Sequence, residues 1–254
     1  MKKVLLASLL STAAIPALSA DSVDISVVGT ISSASCTPSA GGGGVVDYGF
    51  IKPEALAAKG PTVLSVKTIG FTISCDASAN VALRASSNRM GTATDISGPE
   101  SQVGSGLADS ALVKAGLGAK QPYGQPTVST PTVVGLGASN GKNIGGYMMN
   151  LPPSLVTLDG VAATDKFWTF AAPTQATKWN KQVSSVITNN GHTIFTVDNA
   201  FFGYGTDSEA TSPTPFTELA GTLVIQAYIT DKANLDLSAP VNLDGSSTIE
   251  LYYF

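Results

Sequence analysis

Charge is scarce in this chain: Asp, Glu, Lys and Arg make up 13% of 254 residues, and the formal net charge is -4. No basic patch stands out, which argues against nucleic acid as a partner. Histidine occurs once, as His192, and cysteine twice, as Cys36 and Cys75, so a Cys/His metal site lacks ligands. Beyond the N-terminus no apolar run approaches the ~20 residues of a transmembrane helix, and stable membrane insertion is not expected. Walker loops and dinucleotide fingerprints are missing, and no carboxylate pair is marked by spacing. No cofactor and no enzymatic activity are expected.

The N-terminus sets the compartment. Lys2 and Lys3 precede an apolar run over 4–18 that closes on Ala17, Ser19 and Ala20. This pattern reads as a secretory signal peptide over 1–20, cleaved after Ala20, with cleavage after Ser19 as the close rival. Losing Lys2 and Lys3 moves the net charge from -4 to -6. In an exported chain, Cys36 and Cys75 are expected to form a disulfide, and inward-facing Cys75 to meet Cys36 across a sandwich. Closing a loop of about 40 residues would stabilise the fold by roughly 4 kcal/mol in the chain-entropy model.

Gly, Ser, Thr and Ala are abundant, and β-branched residues gather in short runs between Gly, Pro, Asn and Asp, the texture of an all-β protein. Val23, Ile25 and Val27 alternate with Ser22, Asp24 and Ser26, as in a half-buried strand. "GGGGVVDYGFI" reads as a flexible lead into a short strand, and "KPEALAAKG" as one or two helical turns. Ile69, Phe71, Ile73 and Cys75 share one strand face. "ANVALRAS", "NIGGYMMNL", "DKFWTFAA", "SVITNNGHTIFTV" (with an Asn190-Gly191 hairpin turn) and "GTLVIQAYITD" follow as strands. Residues 86–143 read as a loop-rich excursion with one short helix near Leu107 to Ala115. The chain ends on "STIELYYF", with Ile249, Leu251 and Tyr253 on one face and Glu250 and Tyr252 on the other. A single β-sandwich domain over 21–254 with enlarged loops accounts for the pattern.

Two chemical patterns need weighing. "GASNG", Gly137 to Gly141, matches Gly-x-Ser-x-Gly, and Asp159, Asp165 and His192 follow in triad order. A nucleophile elbow needs a strand before Ser139 and a helix after it, whereas β-type sequence follows here. The glycines read as loop residues. Trp168, Trp179, Phe201, Phe202 and Tyr204 could form a sugar-stacking platform, but aromatics at strand positions more often pack in cores or across strands.

The remaining signals are at the two ends. "VVGTISSASC", "FTISCD" and "TIELYYF" resemble the first strand, the second-cysteine strand and the C-terminal strand of subunits assembled by the bacterial chaperone–usher route. "GGGVVDYG", "ISCDASANVALRASSNRMGT", "GLGASNGKNIGGY" and "LDGSSTIELYYF" are similar to the secreted beta-fimbria subunit family. Two departures stand out. Val241 occupies the place where pilins usually carry glycine, and only Asp21 to Val28 precede Gly29.

The resemblance implies an immunoglobulin-like, pilin-type sandwich lacking its last strand. Its groove would be flanked by the first and last strands and filled first by a periplasmic chaperone, then by an extension of the next subunit. Ile249, Leu251 and Tyr253 would form the groove strand, and Val23, Ile25 and Val27 would be donor-strand candidates. The implied partners are a chaperone, an outer-membrane usher and further subunits, and the implied location is the bacterial cell surface. The alternative is a monomeric secreted or surface binding protein, using the 86–143 loops for a carbohydrate or protein ligand.

Overall fold

The computed structural model describes residues 34–118, 131–182, 193–195 and 200–254. The expected signal peptide over 1–20, the donor candidates Val23, Ile25 and Val27, the expected Asn190-Gly191 turn and His192 lie outside them.

The strands are, in chain order, β1 (Cys36–Ala40), β2 (Thr62–Val63), β3 (Lys67–Ala79), β4 (Val81–Ser87), β5 (Ser105–Leu107) and β6 (Thr132–Gly135). Then come β7 (Ala138–Ser139), β8 (Lys142–Asn143), β9 (Gly145–Asn150), β10 (Val156–Leu158) and β11 (Val161–Ala162). The last are β12 (Asp165–Thr169), β13 (Asn180–Gln182), β14 (Phe201–Gly205), β15 (Phe216–Ile229) and β16 (Ser247–Tyr253). A nine-stranded sheet runs β1-β3-β15-β9-β6-β5, with β2, β10 and β11 alongside, and a five-stranded sheet runs β13-β12-β14-β4-β16. Every pairing is antiparallel, and the two sheets form a β-sandwich.

Alternation builds the core. In the first sheet Ile69 pairs with Leu223, Phe71 with Gly221 and Ile73 with Leu219. The second sheet contributes Val81, Leu83 and Ala85 from β4 and Phe202 and Tyr204 from β14. Tyr204 donates its buried hydroxyl to the Leu151 carbonyl at 2.6 Å, so a polar tip is satisfied inside the core.

Part of the 86–143 stretch is framework, contrary to the loop-rich reading. β5 and β6 extend the first sheet, and helix α1 (Ser110–Lys114) covers its outer face with Leu112, against Val133, Met148 and Tyr228. Asp109 caps that helix, accepting from the Leu112 amide at 2.8 Å. Two covered faces explain why β6 and β9 are buried along their whole length and show no alternation. Gly146 is needed there because a Cβ would lie 2.5 Å from the Tyr228 hydroxyl and 2.6 Å from the Val134 carbonyl.

Three local expectations are corrected. Cys36 and Cys75 are bonded (S–S 2.03 Å), but they are cross-strand neighbours of β1 and β3 in one sheet and do not bridge the sandwich. "KPEALAAKG" forms only a 3-10 turn at Pro53–Ala55. Residues 45–51 join no sheet, and Gly49 among them has a φ of 64°. Tyr48 instead leans in, and its hydroxyl accepts the Ala227 amide of β15 at 3.0 Å.

Candidate functional site

The terminal strand β16 is a sheet edge. It pairs with β4 over its whole length, from Ser247↔Ser87 to Tyr253↔Val81, and no other described strand pairs with it. Two flanking hydrogen bonds fix its phase: the Asn88 amide donates to the Ser246 carbonyl, and the Phe254 amide donates to the Asn80 carbonyl. Bonded pairs recur every second residue in an antiparallel ladder. Thr248, Glu250 and Tyr252 therefore turn their backbone groups toward β4. Ser247, Ile249, Leu251 and Tyr253 turn theirs outward, to the free edge.

Those outward residues also carry the inward side chains. Ile249 and Leu251 are half-buried against the main core, opposite Ala85 and Leu83. Tyr253 is 42% exposed, and its hydroxyl accepts the Cys36 amide of β1 at 2.8 Å, tying the two sheets' edges at that end.

Away from that tie the core residues stay buried, but the segments around residues 44–53 and 235–246 leave a space beside them. β16 begins only at Ser247, so part of the first sheet's inner face has no second-sheet strand over it. A cleft of about 780 Å³ remains, lined by Val46, Tyr48, Ile69, Met149, Ile225 and Leu243 among others. Phe50, 87% exposed, stands on its wall. Tyr147 shares a hydrogen bond with Ser247 at the start of β16, and burial pushes its phenol up to about 12. Arg89 fixes the preceding turn by donating to the Asp244 carbonyl and to both its carboxylate oxygens.

The opposite face of β16 is packed, a feature sequence reasoning missed. Glu250 accepts from Arg84 Nη2 at 2.6 Å and Nε at 3.0 Å, and from the Tyr252 hydroxyl at 2.9 Å. The Arg84 guanidinium, and secondarily the Tyr252 hydroxyl, hold the Glu250 carboxyl below its ordinary range. Arg84 also lies over the rings of Phe201 and Tyr252, and Phe254 packs on Trp179. The signal available was an aromatic at each of two successive even positions, Tyr252 and Phe254, which marks a second covered face.

The other candidates are dispersed. "GASNG" is a hairpin in which β7 and β8 flank Asn140-Gly141, both with positive φ (52° and 74°). No helix follows Ser139, and Asp159 is engaged with Thr217 and the Glu218 amide. The five aromatics do not share a face: Phe202 and Tyr204 belong to the main core, whereas Trp179 and Phe201 are buried in a separate cluster. Lys166 is buried, donates to the Thr193 carbonyl at 3.0 Å and lies over the Phe202 ring, and burial lowers its pKa to about 7. Among the described residues no group of three His, Cys, Asp or Glu could hold a metal ion, and no helix is long and apolar enough to cross a membrane.

Fold and site together define a disulfide-bonded, all-β sandwich whose terminal strand has a free outer edge among the described residues and meets a cleft at Ser247. A family model described as "Protein of unknown function (DUF1120)" matches residues 25–148. The chain is similar to "Uncharacterized protein YhcF" of Escherichia coli (strain K12), 28% identical over 248 residues and 94% of each chain. It is also similar to "Protein GltF" of the same organism, 26% identical over 254 residues, 96% of this chain and 94% of GltF. No solved structure matches.

Proposed function

We propose that this chain is an exported structural subunit of a chaperone–usher type fimbria, joined to its neighbours by β-strand addition along β16. The observation that carries the reading is the coincidence of the free edge with the cleft. Ser247, Ile249 and Leu251 offer backbone groups that no described strand pairs, and the cleft opens at the start of the same strand, where Ser247 lines it. An added strand would supply hydrogen bonds and core side chains together. A periplasmic chaperone would cover the edge before assembly, because an open strand beside an open core is an aggregation hazard.

The disulfide fits a protein that folds in an oxidising compartment. The relatives' printed names assign neither a fimbria nor a receptor, so the reading rests on the edge and on the family resemblance of both ends. The test is a surface extract from the native host, run unheated and boiled on a denaturing gel. Strand-linked multimers that collapse to monomer only on boiling are the expected result. Monomers in the unheated lane would overturn it and favour the monomeric binding protein.

A further inference from the structure

Phe50 is the most exposed large apolar side chain among the described residues, at 87%, and it stands on the wall of the cleft. A phenyl ring left in water forgoes most of what burial would contribute. Anchors on both sides hold it there. Before it, the Tyr48 hydroxyl is tied to the Ala227 amide of β15, and the Asp47 carboxylate accepts the Gly49 amide at 2.6 Å. Gly49, with its φ of 64°, sets the bend that leads into Phe50. After it, Ile51 is half-buried on the cleft lining, and the Pro53 carbonyl accepts from Lys232 Nζ at 3.3 Å. Phe50 is thus presented between two fixed points and is not placed to fold back over its own cleft.

An apolar knob held beside an apolar hole, on one chain, makes a self-complementary patch. A two-fold axis between two copies puts each ring into the other's cleft, and an isologous contact of this kind closes at two. The charges agree. Asp47 lies three residues before Phe50 and Lys52 two after it. Both are exposed, and neither makes an ion pair among the described residues. Where two 45–52 segments meet antiparallel across a two-fold axis, Asp47 of each copy faces Lys52 of the other.

We infer that free copies of this chain pair as a two-fold dimer in which Phe50 of each fills the cleft of the other, against apolar lining such as Leu237, Val241 and Leu243. A phenylalanine buries about 150 Å² or more, so two rings and the walls that receive them bury on the order of 600 Å². That falls short of the ~1,200 Å² of a stable complex, which makes the dimer weak and reversible. Its Kd is on the order of tens of micromolar. The dimer does not rest on the strand-addition reading. It uses the same cleft, so it belongs to the unassembled subunit and covers there what a partner strand would displace.

The test replaces Phe50 with the photo-crosslinker p-benzoylphenylalanine in the mature, oxidised chain. Isotope-labelled and unlabelled copies are mixed and irradiated at about 100 µM, above the expected Kd. The expected crosslinks join labelled to unlabelled chains, from position 50 to residues lining the cleft. Sedimentation of the unmodified chain should show a dimer that dilution dissociates, and Phe50→Ser should raise its Kd about tenfold or more. The thermal midpoint of Phe50→Ser should stay unchanged, because the ring is almost wholly in solvent. A monomeric chain at that concentration would overturn the inference, as would a dimer that Phe50→Ser leaves intact. Crosslinks that stay within one chain, or that land outside the cleft, would overturn it too. Multimers that survive the unheated denaturing gel and are unaffected by Phe50→Ser report on strand addition alone, so the two readings fail separately.

Discussion

Leu251→Asp separates what β16 does for the free subunit from what it does in an assembly. In the free subunit Leu251 is half-buried on the edge strand, opposite Leu83, which is 1% exposed. Losing half of a leucine's burial costs about 1–1.5 kcal/mol. On a half-buried position of an edge strand the aspartate can still reach water, so its desolvation adds only about 1 kcal/mol. A domain stable by about 5–15 kcal/mol survives that. Once a strand fills the slot, the same carboxylate is sealed among apolar side chains without a partner, a penalty of about 3–5 kcal/mol. The incoming strand therefore loses roughly 3 kcal/mol of binding, on the order of a hundredfold in affinity.

The measurements are thermal unfolding by circular dichroism for the fold and the unheated gel for assembly. The expected pattern is a folded, oxidised Leu251→Asp monomer with a modestly lowered midpoint and no multimers. Leu83→Asp, at a site with no water access, should fail to fold at all. Wild-type multimers from Leu251→Asp would refute the reasoning, because they would mean that no apolar strand packs over this residue.

Three further outcomes follow from the fold. Cys36→Ser should lower unfolding free energy by about 4 kcal/mol in urea denaturation, the chain-entropy cost of releasing a loop with a sequence separation of 39. Gly146→Ala should destabilise by about 1–3 kcal/mol, since its Cβ would meet the Tyr228 hydroxyl and the Val134 carbonyl, and the midpoint shift measures this. Lys166 titrates near 7 when folded and near its ordinary 10.5 when unfolded, so the unfolded state binds more protons between those values. Stability should rise from pH 7 toward pH 10, and denaturation midpoints that are flat or falling between pH 7 and 9 would contradict the buried, neutral amine.

Alternation made the half-covered strands legible: β3, β4, β12, β15 and β16 each lie in runs read directly from spacing. It failed where both faces are covered. Thr132 to Gly135 is buried at all four positions without alternation, and the helix at Ser110–Lys114 packed outside the sheet explains it. Pairing across long separations was also out of reach. Arg84 and Glu250 are 166 residues apart, and their ion pair helps pack the face of β16 opposite Ile249 and Leu251. Partner choice for the cysteines was legible because two cysteines allow one pairing. Their relation was not, since an inward Cys75 fits either a neighbour in the sheet or a partner across it.

Pro38 shows how one residue can change meaning once register is known. In sequence it is a proline two residues after a cysteine, consistent with a loop, an edge or a bulge. Register places it opposite Ile73, and the ladder phase turns its missing amide to the outside of β1. At Thr37 or Ser39 the same proline would remove a bond to β3 and weaken the sheet. At 38 it removes nothing from the fold and subtracts only from what β1 can offer another chain. The aromatic end of β16 works to the same effect, because Tyr253 takes the neighbouring Cys36 amide out of play. A sandwich with two open edges beside one cleft could take a strand in either of two registers. Over Cys36 to Pro38 β1 offers carbonyls only, whereas Ser247, Ile249 and Leu251 offer amides and carbonyls both, so the two edges are not equivalent to an incoming strand.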